Sequence, residues 1–132
     1  MLKPGGTVAF STWPTELFVG GIFQLVARYL PAPPPGVSPP WQWGDPNIIR
    51  ERLGSAVRDL VFDRDRLLSP ALSPQHHREQ AERTLPPVLK LIQSADPSTL
   101  ATFRREYQEL AARYFDENAV RHDYLMTRAT KL

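Results

Sequence analysis

A chain of 132 residues has room for one domain with a real core, and its 42% apolar and 10% aromatic residues argue against disorder. Sixteen basic residues face fourteen acidic ones, for a formal charge of +2, and no block of like charge is present that could track a phosphate backbone, so a nucleic-acid footprint is not expected. The absence of cysteine excludes disulfides, thiolate zinc sites and cysteine nucleophiles.

No apolar run approaches the roughly 20 residues that cross a bilayer. The opening, where Lys3 is followed at once by Pro4-Gly5-Gly6, lacks a signal-peptide pattern. A cytoplasmic protein without a membrane partner is the expectation.

Lys3-Pro4-Gly5-Gly6 is a turn signal, since Pro fixes φ and either Gly accepts a positive one. It leads into Thr7-Val8-Ala9-Phe10-Ser11-Thr12, a β-rich stretch that Trp13-Pro14 should stop. From Thr15 to Leu30 the apolar positions Phe18, Ile22, Leu25, Val26 and Tyr29 mark one face of an amphipathic helix. Residues 31–46 hold seven of the fourteen prolines and predict a stiff, extended loop.

Three later helices share one start signal, a capping residue followed by Pro: Asp45-Pro46, Ser73-Pro74 and Asp96-Pro97. The first should end at Gly54, a natural left-handed stop. The second should break at Pro86-Pro87 and resume through Leu89 and Ile92. The third carries Leu100, Phe103, Tyr107, Leu110, Ala111 and Tyr114 on one face, with Asn118 as a plausible stop. Val57–Phe62 and Arg121–Thr130 read as strands. The sum is an α+β domain over residues 1–132, with three short strands and about five helices.

Leu2-Lys3-Pro4-Gly5-Gly6 followed by Thr7-Val8-Ala9-Phe10 closely resembles the entry to the fifth strand of class I S-adenosylmethionine-dependent methyltransferases, of the type 11-like branch. Trp43-Gly44-Asp45-Pro46 with Ile48-Ile49 and Leu53-Gly54 resembles the helix before the sixth strand. Asp123-Tyr124-Leu125-Met126-Thr127-Arg128-Ala129-Thr130-Lys131 resembles the last strand. The resemblance implies a partial class I methyltransferase fold, whose three strands correspond to the fifth, seventh and sixth of the family sheet. The seventh would be inserted antiparallel between the other two.

It further implies the acceptor-side, C-terminal half of such an enzyme. In the family the cofactor sits over the first four strands, on a Gly-rich turn and an acidic residue. This sequence has no G-x-G, and its Gly5-Gly6 and Gly20-Gly21 pairs are not that motif. The chain alone is therefore expected to bind no cofactor and to catalyse nothing, with no catalytic or cofactor-binding residue assigned. Two rival readings are a non-catalytic binding module derived from the same fold, and a full methyltransferase whose N-terminal half is missing from this chain.

The segments that wall off the methyl acceptor in the family map here onto Trp13, Phe18, Trp41 and Trp43, the candidate substrate-binding residues. The competing reading is that these rings simply pack the Pro-rich loop. Loss of the neighbouring strand would leave the Thr7–Thr12 edge open, predicting a homo-oligomer or docking of the missing half.

His76-His77 are adjacent on a helix, point about 100° apart and cannot clamp one ion, so no metal is expected and both are assigned to a solvated face. His122-Asp123 should point to opposite faces of a strand. Arg28-Tyr29-Leu30-Pro31-Ala32-Pro33-Pro34 fits the R-x-x-P-x-x-P form of a polyproline ligand, but its first two residues should close a helix. Arg104-Arg105 should be solvated.

Overall fold

The computed structural model describes residues 2–132. Among them, four strands and five α-helices form an α+β arrangement: β1 (Thr7–Thr12), α1 (Phe18–Ala27), α2 (Pro46–Leu53), β2 (Val57–Pro70), α3 (Pro74–Thr84), α4 (Pro86–Ser94), α5 (Pro97–Ala112), β3 (Phe115–Asp116) and β4 (Ala119–Lys131). Short 3-10 turns occupy Pro40–Gly44 and Gly54–Ala56. No helix among the described residues is long and apolar enough to cross a membrane.

The opening Lys-Pro-Gly-Gly closes a turn by the Gly6 N–H donating to the Lys3 carbonyl at 2.9 Å, with Gly5 at φ +76°. Pro at the second position and a left-handed Gly at the third are what a type II turn requires. The Gly5 N–H then donates to the Lys131 carbonyl and the Lys131 N–H to the Gly6 carbonyl, tying the entry of the first strand to the end of the last.

β4 lies between β1 and β2, antiparallel to both, so β1 and β2 run parallel to one another. Phe10 and Phe62 both sit opposite Thr127, and this row carries the Pro-rich loop and α2. Trp43 meets Phe10 edge-on at 6.1 Å, and the Arg50 guanidinium lies 4.8 Å over the Phe62 ring. On the other side, Val120 at the start of β4 joins the main core with Phe18, Ile22, Leu25, Val88, Leu91, Phe103 and Tyr107. The core thus lies between the β4 entry and the helices α1, α3, α4 and α5.

The three Pro-preceded helix starts are present. Asp45 accepts from the Asn47 N–H, Ser73 from the His76 N–H, and Asp96 from the N–H groups of Ser98 and Thr99. Each side chain satisfies donors that the first helical turn leaves orphaned. The break at Pro86 separates α3 from α4 as its missing N–H demands.

Four expectations need correction. The strands are not three short ones: β2 has 14 residues and β4 has 13, and β3 adds a fourth. Charged residues such as Arg64, Asp65 and Arg66 hide the far half of β2, which is fixed by its pairing with β4 rather than by burial. The hairpin from β3 to β4 turns at Glu117 and Asn118, both at positive φ (44° and 58°), so Asn118 serves a β-turn rather than a helix stop.

His77 is buried, not solvated, and Arg104 is engaged rather than free. Arg104 grips the Glu82 carboxylate with Nε at 2.8 Å and Nη2 at 2.9 Å, while buried Arg78 donates to Glu82 and, from Nε, to Gln108 at 2.9 Å. Burial alone would raise the Glu82 carboxyl pKa, but the bonds from Arg104 and Arg78 hold it below its ordinary value. This network clamps α3 to α5.

Two glycines let the backbone approach where no side chain fits. A Cβ on Gly44 would overlap the Trp13 carbonyl, and one on Gly20 would overlap the Pro14 carbonyl. At Gly21 the nearest atom would be the flexible end of Leu110, at 3.1 Å. Gly44→Ala is therefore expected to cost about 2–4 kcal/mol, because rigid backbone must move, while Gly21→Ala stays within about 1 kcal/mol of the parent. Urea unfolding midpoints of the two variants check this, and equal midpoints would contradict the packing described.

Candidate functional site

β1 ends at Thr12, and Trp13 then swings over the carboxyl end of the sheet before buried Pro14 turns the chain into α1. Phe18, the first residue of α1, is 1% exposed and is the hub of an aromatic cluster. Its ring centroid lies 5.1 Å from His122, 5.4 Å from His77, 5.5 Å from Tyr114 and 6.3 Å from Tyr107.

The two adjacent histidines part company as their 100° separation requires. His76 accepts the Leu72 N–H on Nδ1 at 3.0 Å, whereas His77 turns inward. His77 Nδ1 is 3.2 Å from the Tyr107 hydroxyl, and its Nε2 is 3.2 Å from His122 Nε2. Asp123, the neighbour of His122 on β4, instead accepts from Arg121 Nε at 2.8 Å.

His77, Tyr107 and His122 line an apolar cleft of about 250 Å³, walled chiefly by Trp13, Phe18, Ile22, Phe23 and Val88 and rimmed by Leu85, Pro86 and Pro87 where α3 gives way to α4. Among the described residues no Asp, Glu, Lys or Arg lines it. A larger depression of about 660 Å³ on the outer side of α1 is open to solvent, and its Glu106 is already engaged. There Glu106 accepts from the Tyr29 hydroxyl at 2.5 Å and from Arg28 Nη2 at 3.3 Å. Chemistry is concentrated in the smaller cleft.

Burial, then repulsion from His122 and His76, pushes the His77 pKa down to about 4, and burial also lowers that of His122 against a weaker opposing pull from Asp123. Burial raises the Tyr107 hydroxyl well above its ordinary value, so it keeps its proton. At neutral pH the chain of groups is uncharged.

Its proton arrangement follows from the partners. The Tyr107 hydroxyl is buried and meets no acceptor but His77 Nδ1, so it donates there. His77 must then carry its own proton on Nε2 and donate to His122 Nε2. His122 is left with its proton on Nδ1, for which no protein partner is present among the described residues.

Of the four aromatic residues expected to line an acceptor pocket, Trp13 and Phe18 share this cleft. Trp41 and Trp43 do not. Trp41 lies along the outer groove beside Gln24 and Arg28, its carbonyl accepting from the Thr15 hydroxyl at 2.8 Å. Trp43 packs between Phe10 and the Arg52 guanidinium, which sits 4.7 Å over its ring. Sequence reading missed His77, Tyr107 and His122. The available signal was His77 sharing a helix face with Ala81, and Tyr107 sharing one with Phe103 and Ala111, the buried residues of α3 and α5. Among the described residues no group of three His, Asp or Glu could hold a metal ion.

A histidine with a folded pKa near 4 and an unfolded one near 6.5 favours the neutral folded form. The unfolded chain binds the extra proton first, so this contribution is complete above pH 6.5 and is lost progressively as pH falls toward 4. Between pH 7 and pH 5 the loss from His77 is expected to be about 2 kcal/mol. His77→Phe should remove that part of the pH dependence. Urea unfolding at both pH values measures it, and an identical pH response in parent and variant would contradict the buried, neutral assignment.

No family model matches the chain. Two curated relatives, uncharacterized proteins of Mycobacterium bovis and Mycobacterium tuberculosis, are each 26% identical to it over 132 aligned residues. The alignments cover 98% of this chain and 48% of each relative, so the chain spans about half the length of the curated relatives it matches.

Proposed function

We propose that this chain is the acceptor-side part of a class I S-adenosylmethionine-dependent methyltransferase, and that by itself it neither binds the cofactor nor transfers methyl groups. The observation that carries the reading is the strand order. β4 is inserted antiparallel between two strands that run parallel to each other, the order that the resemblance implies for the fifth, seventh and sixth strands.

Two further features agree with it. The cleft lies beyond the carboxyl end of β1, the side on which open sheets with parallel strands place ligands. One sheet face near β1, with Ala9, Ser11, Val61 and Met126, carries no helix layer, and both Val61 and Met126 are exposed. Such a face is what removal of covering helices would leave.

The residues present do not fit the cofactor. Gly20 and Gly44, the glycines of closest approach, have the protein's own carbonyls against them and form no open cradle. Gly5 and Gly54 sit at a turn before a strand and at a helix end. The cleft offers no carboxylate for ribose hydroxyls. No step through the cofactor is assigned to these residues.

The alternative is a binding module that uses the same cleft without any methyl donor, and the uncharged histidine pair and apolar walls favour it to that extent. Isothermal titration of the chain with S-adenosylmethionine is expected to show no binding at micromolar concentration. A low-micromolar dissociation constant would sink the first reading.

The partner expectation follows from the same topology. Among the described residues β1 has a neighbour only on its β4 side, and no charge or Pro lies between Thr7 and Thr12 to discourage strand addition. A homodimer through that edge, or docking of a separate cofactor-binding half upon it, is expected. Light scattering at micromolar concentration should report more than the 15.0 kDa of one chain, and a persistent monomer would count against edge pairing.

A further inference from the structure

We infer that the cleft between α1, α3 and the entry of β4 is a binding site for a small neutral phenol, its ring between Trp13, Phe18 and Val88 and its oxygen on His122. The walls supply the class of the ligand. They are aromatic and aliphatic, and the polar groups they carry are the histidine pair and the Tyr107 hydroxyl. With no Lys or Arg on the lining, a carboxylate or phosphate would enter unneutralised, and with no Asp or Glu an ammonium would too.

Size narrows the class further. A cavity of about 150 Å³ suffices for benzene. The 250 Å³ here suits one ring with a short substituent, not a fused polycycle or a peptide.

The hydrogen-bond chain supplies a donor for an oxygen. Tyr107 donates to His77 and His77 donates to His122, which leaves the His122 Nδ1–H seeking an acceptor that the described residues do not provide. A hydroxyl oxygen meets that need. It does so without bringing a charge into the cleft.

Calling the ligand a methyl acceptor rests on the acceptor-side reading; binding itself does not. It is measured without a methyl donor, so that reading can fail while the cleft still binds, and the cleft can fail while the strand order stands.

The probes are 4-ethylphenol, its oxygen-free counterpart ethylbenzene, and 4-ethylbenzoate, each added to the full chain and followed by NMR. The expected result is saturable movement of the His77, His122 and Trp13 ring signals with 4-ethylphenol, affinity about three- to tenfold weaker for ethylbenzene, and no saturation with the benzoate. His122→Phe should erase the preference for the phenol over ethylbenzene while leaving ethylbenzene binding in place. Equal affinity of the parent chain for phenol and ethylbenzene would overturn the proposal. So would preferred binding of the benzoate, or signal changes confined to the outer groove at Trp41 and Arg28. The parent-chain comparisons stand whether or not the His122 variant folds.

Discussion

The structure depends on β4, which β2 pairs along one edge almost throughout and β1 pairs along the other from Leu125 to Thr130. A central strand must satisfy its whole backbone within the protein, and β4 does so against β1 over Thr7–Thr12 and against β2 almost throughout its length. Because successive side chains alternate faces, this one strand serves both layers. Val120 and His122 enter the helical core near its start, and Thr127 and its row support Trp43 and Arg50 nearer its end. The cleft exists because the chain enters β4 directly beneath the start of α1.

What positions the polar groups of the cleft is a second interaction of a different kind. His77 and Tyr107 are on separate helices, and their 3.2 Å contact requires α3 and α5 to be held in register. The Arg78–Glu82–Arg104 cluster with Gln108 does that through charge-assisted bonds directed across the two helices. A partly buried cluster of this sort contributes less to net stability than its bond count suggests, since Arg78 and Glu82 are largely desolvated. Its role here is better described as fixing geometry. Neutral histidines held in an apolar setting are costly to protonate, which keeps the relay uncharged near pH 7.

Much of the fold was legible in the sequence because its boundaries are set by local chemistry. Pro4-Gly5, the capping residues before Pro46, Pro74 and Pro97, and the break at Pro86 each act within a few residues, and the elements begin and end where these signals stand. The long arm of β2 was not legible, since Arg64, Asp65 and Arg66 carry no apolar alternation and depend on pairing with β4. The Glu117-Asn118 turn was masked by the strong helix before it. Of the four aromatic residues singled out, Trp13 and Phe18 line the cleft. The rest of the cleft was not legible, because His77 and His122 are 45 residues apart and meet only through the packing of α3 on β4.

The central claim is that these residues form part of a larger sheet whose continuation lies beyond β1. Residue-by-residue amide hydrogen exchange tests it most directly, with the chain diluted until it is monomeric. β4 amides that are paired to a neighbouring strand should exchange only by global unfolding, while along β1 every second amide, pointing away from β4, should exchange orders of magnitude faster. Uniform protection along β1, matching that of β4 in a verified monomer, would show that the edge is already covered by the chain itself and would contradict the account.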